Sequence, residues 1–106
     1  MLDSQLSVPP SFVALYLPAG KTRPTLPLPQ LAERHELCED MAQMLTEHAQ
    51  QVLVRLGITE ADVLRQILQG LQSEEARLSE AEAGWVVGRL AELLGWPLPA
   101  GLALPS

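Results

Sequence analysis

Three stretches in the middle of the chain repeat apolar residues at the spacing of an amphipathic helix. The first is predicted over about residues 30–56, between Pro29, which suits a first helical turn, and Gly57, a natural left-handed stop. Its apolar positions cover roughly one half of a helical wheel, a face wide enough to contact two other elements. They are Leu31, Leu37, Cys38, Met41, Ala42, Met44, Leu45, Ala49, Val52, Leu53 and Leu56.

The second and third predicted helices carry capping signals. The second is expected over 60–71, where the Thr59 hydroxyl can cap the first turn and Asp62 follows three residues later. The third is expected over 80–94, because Ser79 and Glu82 form a capping box and Gly95 suits the C-terminal end. We therefore predict an all-α fold in which residues 30–96 form a three-helix bundle.

Proline-rich segments flank this bundle. Six of the nine prolines lie between positions 9 and 29, and the last ten residues hold the other three. Because proline removes a backbone donor and restricts the residue before it, residues 1–29 are expected to form an arm that packs on the bundle, and 97–106 a flexible tail. The apolar run at 12–17 fits a short strand or a short helix. We favour the helix, because a lone strand has nothing to pair with.

Composition restricts the classes of function. The chain has 106 residues, 47% of them apolar, which is enough for one folded domain and too apolar for a disordered chain. The net charge of −6 disfavours binding to nucleic acid or to an anionic membrane. The charge is uneven, with a net +1 over residues 1–30 and −7 over the rest. With a single cysteine, no basic signal-peptide start and no apolar run of membrane-spanning length, we expect a cytoplasmic protein.

The triplet Gly20-Lys21-Thr22 resembles the end of a phosphate-binding P-loop. The full motif has another glycine five positions earlier, where this chain has Leu15. It also needs a helix that starts at the Lys-Thr pair, and the prolines that follow Thr22 oppose one. We expect a solvated loop here, with nucleotide binding as the alternative.

A second candidate for chemistry is the set His35, Cys38 and Glu39, which could share one face of the first helix. A metal site needs a further ligand, and His48 lies about 15 Å along the same helix from Cys38, too far to join it. We therefore expect Cys38 to be a core residue and His48 a partly buried histidine. No catalytic residue, cofactor or metal is predicted.

Small residues form a stripe on the third helix, at Ala81, Gly84, Gly88 and Ala91. Because each glycine inside a helix costs about 1 kcal/mol relative to alanine, we expect another element to approach this stripe closely. That element is either the arm or first helix, or a partner protein that uses Trp85 as an anchor. The candidate partner-binding residues are Trp85, Gly84, Gly88, Trp96 and Arg34.

Arg34 falls inside the apolar arc of the first helix. Its stem can lie along apolar surface while the guanidinium reaches an acid on another element. We expect a structural ion pair with a glutamate such as Glu92, with partner binding as the alternative.

Four segments together resemble a family of small proteobacterial proteins that are sometimes labelled "ATPase with chaperone activity". The resemblance extends from about Pro9 to Pro97 and implies a bacterial protein with a chaperone-like role. It brings no catalytic residues, and an ATPase activity would need a nucleotide site other than a P-loop. The segments are Pro-Pro-Ser-Phe-Val-Ala-Leu-Tyr at 9–16, Glu-Leu-Cys-Glu-Asp at 36–40, Leu-Thr-Glu-His-Ala-Gln at 45–50 and Ala-Glu-Leu-Leu-Gly-Trp-Pro at 91–97.

These observations favour a non-enzymatic protein-interaction or adaptor module, chaperone-like or self-associating. Its partner is expected to be another protein or a second copy of the chain. The alternative is a nucleotide- or metal-binding protein, or an enzyme, that uses Gly20-Lys21-Thr22 or His35 and Cys38.

Overall fold

The structure, a computed structural model, describes residues 8–99. This part of the chain is all-helical and contains no strand, which confirms the predicted fold class. Most of the predicted tail over 97–106 lies outside the described residues. The elements are α1 (Pro10–Val13), a 3-10 turn (Ala14–Tyr16), α2 (Leu28–Leu56), α3 (Glu60–Leu71), a second 3-10 turn (Glu74–Ala76) and α4 (Glu80–Leu94).

Helix α2 is the long spine of the molecule. It begins at Leu28, slightly earlier than expected, with Pro27 as its N-cap and Pro29 inside its first turn. It ends at Gly57, which adopts a left-handed φ of 64° and donates its N–H to the carbonyl of Leu53. Only glycine takes this conformation without a steric cost, so the end of α2 is encoded locally.

The two shorter helices begin at the predicted caps. The Thr59 hydroxyl accepts the backbone N–H of Asp62 at 3.1 Å. At the start of α4, the Ser79 hydroxyl accepts the N–H of Glu82, and the Glu82 carboxylate accepts the N–H of Ser79, both at 3.0 Å. Each cap satisfies backbone donors that the first helical turn leaves free, and this fixes where the chain turns into the helix.

The core lies where three helices meet. Helix α2 packs most extensively against α4, and α3 contacts both of them. Trp96 and Leu98, which follow α4, are partly buried against the same core. The buried apolar side chains of the bundle are Leu31, Cys38, Ala42, Ala49 and Val52 from α2, Val63, Leu64, Ile67 and Leu71 from α3, and Ala83, Trp85, Val86, Val87, Leu90 and Ala91 from α4.

The segment around α1 packs on the bundle as a short helix and not as a strand. Phe12 is fully buried and belongs to the same core as the three longer helices. After the first 3-10 turn, the chain reverses direction, and the N–H of Thr25 donates to the carbonyl of Tyr16 at 2.8 Å. Between residues 8 and 99, no helix combines the length and apolar character that crossing a membrane requires.

Candidate functional site

A buried carboxylate links three parts of the fold. Glu82, at the start of α4, is only 2% exposed. Its two oxygens accept Nη2 and Nε of Arg34 on α2 at 2.7 and 2.9 Å, the hydroxyl of Tyr16 and the backbone N–H of Ser79. Burial alone would raise the pKa of Glu82, but the hydrogen bonds from Arg34 and Tyr16 outweigh it and hold the pKa at about 2. Because each carboxylate oxygen accepts two hydrogen bonds, Glu82 holds α2 and the segment around Tyr16 against the start of α4.

The predicted partner of Arg34 was wrong, because Arg34 pairs with Glu82 and not with Glu92. Glu92 lies more than two turns farther along α4. There its Oε1 accepts a hydrogen bond from Nη1 of Arg89 at 3.0 Å. Arg89 also reaches across to Glu39 on α2, with Nε to Oε1 at 2.9 Å. Its hydrogen bond lowers the pKa of Glu39. Two ion pairs, Arg34–Glu82 and Arg89–Glu39, therefore link α2 to α4.

An aromatic cluster holds the N-terminal segment in place. The rings of Phe12, His35 and Trp85 contact one another edge to face, with centroids 5.2–5.4 Å apart. Trp85 is 3% exposed, and its indole N–H donates to the Ser11 hydroxyl at 3.0 Å. Burial lowers the pKa of His35. In the described part of the chain, the indole of Trp85 thus binds the protein's own N-terminal segment.

The cysteine and the two histidines considered for metal binding, Cys38, His35 and His48, lie in different surroundings. Cys38 is fully buried, and burial raises the pKa of its thiol to about 12. His35 contacts aromatic rings, and His48 is exposed on α2, which corrects the prediction of a partly buried histidine. Within residues 8–99, no three His, Cys, Asp or Glu side chains are arranged to hold a metal ion.

Gly20, Lys21 and Thr22 lie in an exposed turn. Gly20 has a left-handed φ of 76°, and the next helix starts only at Leu28. A P-loop places the first amides of a helix against the phosphates directly after its Lys-Thr pair, and this chain has no helix there.

Three of the predicted partner-binding residues line one groove at the end of α4. Trp85, Gly88 and Trp96 surround a space of about 250 Å³ together with Ser11, Ala91 and Leu98. The ion-paired side chains of Arg89 and Glu92 complete the lining. Arg34 lies elsewhere, in the Glu82 cluster.

Gly84 is also outside this groove. Apart from its two chain neighbours and the backbone of α4 itself, no described atom lies within 4 Å of the position that a Cβ at Gly84 would take. The close approach that the stripe of small residues predicted is therefore absent at this glycine.

A second groove, the α2–α3 groove, has a different character. It holds about 240 Å³ and its lining contains no aspartate, glutamate, lysine or arginine, although the chain carries 13 acidic and seven basic residues. Its floor is aliphatic, and its only polar side chains are one histidine and one glutamine. The lining residues are Leu45, His48, Val52, Val63, Gln66, Ile67, Gly70 and Leu71.

Exposed apolar side chains continue this groove along α2. Met44 is 73% exposed and Leu37 is 40% exposed, and both were predicted to lie on the apolar face of this helix. One edge of that face packs in the core, whereas no described element covers the edge that carries Leu37 and Met44. The wide apolar face of α2 on the helical wheel was the sequence feature that indicated this surface. The wheel of a single helix, however, shows neither where α3 lies nor that a groove forms beside it.

The chain matches no protein-family model, and no curated protein or solved structure is significantly similar to it.

Proposed function

We propose that this protein is a non-enzymatic protein-interaction module that receives its partner on the α2–α3 groove and the adjoining face of α2. The absence of charged side chains from the groove lining, in an otherwise acidic protein, is the observation that carries this proposal. The centres of protein interfaces are depleted of charged residues and enriched in methionine. Met44 beside the groove supplies the flexible apolar contact that adaptable binding surfaces use.

Several observations support an interaction role over chemistry. The thiol of Cys38 is buried with a raised pKa, so it is neither an available nucleophile nor an available metal ligand. Both oxygens of the Glu82 carboxylate accept hydrogen bonds from Arg34, which leaves this group bound within the fold. A chaperone-like role fits the same exposed apolar surface, and we place this activity in the cytoplasm, where a lone reduced cysteine is usual.

A photo-crosslinking amino acid placed on α2 tests the proposal. In the full chain, produced in its own cells, we expect benzoylphenylalanine at position 44 to form protein adducts. The same residue at position 54 should form fewer, because Val54 is equally exposed but lies about 80° around α2 from Met44 and outside the α2–α3 groove. A Gly70→Trp change should suppress the adducts, because Gly70 lines the groove and has open space at its Cβ position. Equal labelling from both positions would contradict the proposal.

Thermal unfolding tests the alternative functions. A ligand present at 100 times its Kd adds about 2.7 kcal/mol to the stability of the folded state. We expect no rise in Tm with Mg-ATP or with zinc. A clear rise in Tm with either ligand would contradict the proposal and indicate a nucleotide- or metal-binding protein.

A further inference from the structure

We propose that the partner on this surface is a second copy of the same chain, whose α2 lies antiparallel to the first. This inference rests on the proposed function and names the occupant of the surface. The contact follows a line of residues on α2, the α2 seam, made of Leu37, Met41, Met44, His48, Gln51 and Arg55.

The seam has the spacing of a helix-packing surface. Its members alternate steps of four and three residues, the repeat that keeps one side of a helix facing a neighbouring helix. Met41 is partly buried and the other five are exposed. Over 18 residue steps the seam is about 27 Å long. Because His48 belongs to both the seam and the α2–α3 groove, a helix laid on the seam also covers one edge of the groove.

Charge selects the antiparallel orientation. Glu33 and Asp40 are exposed on either side of Leu37 at one end of the seam, and Arg55 is exposed at the other end. In a parallel pair, each acid would meet its own copy and Arg55 would face the partner's Arg55. In an antiparallel pair centred between Met44 and His48, Arg55 faces the partner's Leu37 and lies between the partner's Glu33 and the partner's Asp40. Opposite charges then meet at both ends.

The same register matches the side chains along the seam. Leu37 covers the aliphatic stem of the partner's Arg55, whose guanidinium remains near carboxylates and water. Met41 faces the partner's Gln51, and Met44 faces the partner's His48. Each layer thus joins one apolar side chain to one polar side chain that is able to keep a hydrogen bond to solvent, and no layer buries two charges of the same sign.

The size of the seam sets the strength of the dimer. A strip about 27 Å long and one helix diameter, about 10 Å, wide buries well under the ~800 Å² per partner of a standard stable interface. We therefore expect a reversible dimer with a Kd between about 10 µM and about 1 mM. By analytical ultracentrifugation, the 11.5 kDa chain should move towards twice that mass as its concentration rises through this range.

Two glutamate substitutions test the surface. Met44→Glu places a charge in the seam, and Val54→Glu makes the same change at an equally exposed position outside it, since Met44 is 73% and Val54 82% exposed. Both side chains are largely in solvent, so both variants should fold as the wild type does. We expect Met44→Glu to weaken dimerisation at least about tenfold and Val54→Glu to weaken it clearly less. A wild type that stays monomeric at about 1 mM, or equal effects of the two variants, would overturn the inference.

A charge exchange tests the orientation. Arg55→Glu should weaken the antiparallel dimer, because it sets a carboxylate between the partner's Glu33 and the partner's Asp40. Adding Asp40→Arg to the same chain should restore affinity by recreating opposite charges at both ends. A parallel dimer would exchange one like-charged pair for another and show no loss with Arg55→Glu, so an unchanged Kd overturns the antiparallel arrangement.

The crosslinking experiment separates this inference from the proposed function. Adducts from position 44 that have twice the mass of the chain and contain only its peptides support both. Adducts that contain a different protein leave the interaction module standing and overturn the second copy as its partner. If position 44 gives no adduct above the level of position 54, both fail.

Discussion

Replacing Glu82 by glutamine should destabilise the protein by about 3 kcal/mol at neutral pH and by much less in acid. Glutamine keeps the shape of the side chain but removes the negative charge that the partly exposed Arg34 guanidinium and the Tyr16 hydroxyl bind. Removal of one partner from a buried ion pair typically costs about 3–5 kcal/mol, and the lower end of this range applies here because the Arg34 side chain is 34% exposed. Glu82→Gln should therefore lower the free energy of unfolding by a large amount, although glutamine has the same number of carbon atoms as glutamate.

The pKa of Glu82 gives an independent magnitude. The difference between its ordinary value of 4.5 and the folded value of about 2 corresponds to about 3 kcal/mol of stability. Because the folded state lowers this pKa, its contribution is complete above the ordinary value and is lost as the pH falls through the folded value. The difference in unfolding free energy between wild type and Glu82→Gln should thus shrink from about 3 kcal/mol at pH 7 to about 1 kcal/mol at pH 3.

Urea unfolding, followed by circular dichroism at each pH, measures this difference. Glu92→Gln is the matched control, because it makes the same change on the same helix in another ion pair with an arginine, but its side chain is 71% exposed. Exposed pairs contribute about 0–1 kcal/mol, so the control should lose little at any pH. If Glu82→Gln prevents folding, Tyr16→Phe removes one donor and should show a smaller loss over the same pH range. An equal loss for Glu82→Gln at pH 7 and pH 3 would show that the charge of Glu82 does not stabilise the fold.

Two further predictions concern α4 and the core. Gly84→Ala should stabilise the protein by up to about 1 kcal/mol, because no described atom obstructs the new Cβ and alanine favours a helix. Calorimetry should then show a Tm higher by at most about 4–8 °C, and a lower Tm would mean that the stripe does need a glycine there. The Cys38 thiol, buried with a pKa of about 12, should resist an aromatic disulfide reagent at about pH 8 and react fully in guanidinium chloride. Fast labelling of the folded protein would show that the thiol is accessible.

The features that sequence reasoning predicted well are those that neighbouring residues encode. Thr59, Ser79 and Glu82 each act through a backbone N–H no more than three residues away, so their patterns alone locate the helix starts. Gly57 and Gly95 end their helices through a left-handed φ that other residues adopt at a cost.

The features that it missed depend on how the helices cross. A helical wheel places Arg34 on the correct side of α2, but whether it meets Glu82 or Glu92 depends on the register between α2 and α4. The wheel also put His48 on the apolar face without showing that α3 lies to one side of it. The α2–α3 groove has the same origin, because two helices and their separation define it, and neither helix shows it alone.

The hydrogen bonds that join Ser11 with Trp85 and Tyr16 with Glu82 connect residues 74 and 66 positions apart, so an earlier segment of the chain docks on a helix that the ribosome makes later. At about 5–20 residues per second, the ribosome takes roughly 3–13 s to add the residues between Tyr16 and Glu82. Throughout that interval Phe12 has no Trp85 to pack against. The packing of Phe12 against Trp85 therefore forms only after α4 has been made, and until then the apolar segment around α1 lacks the helix that covers it.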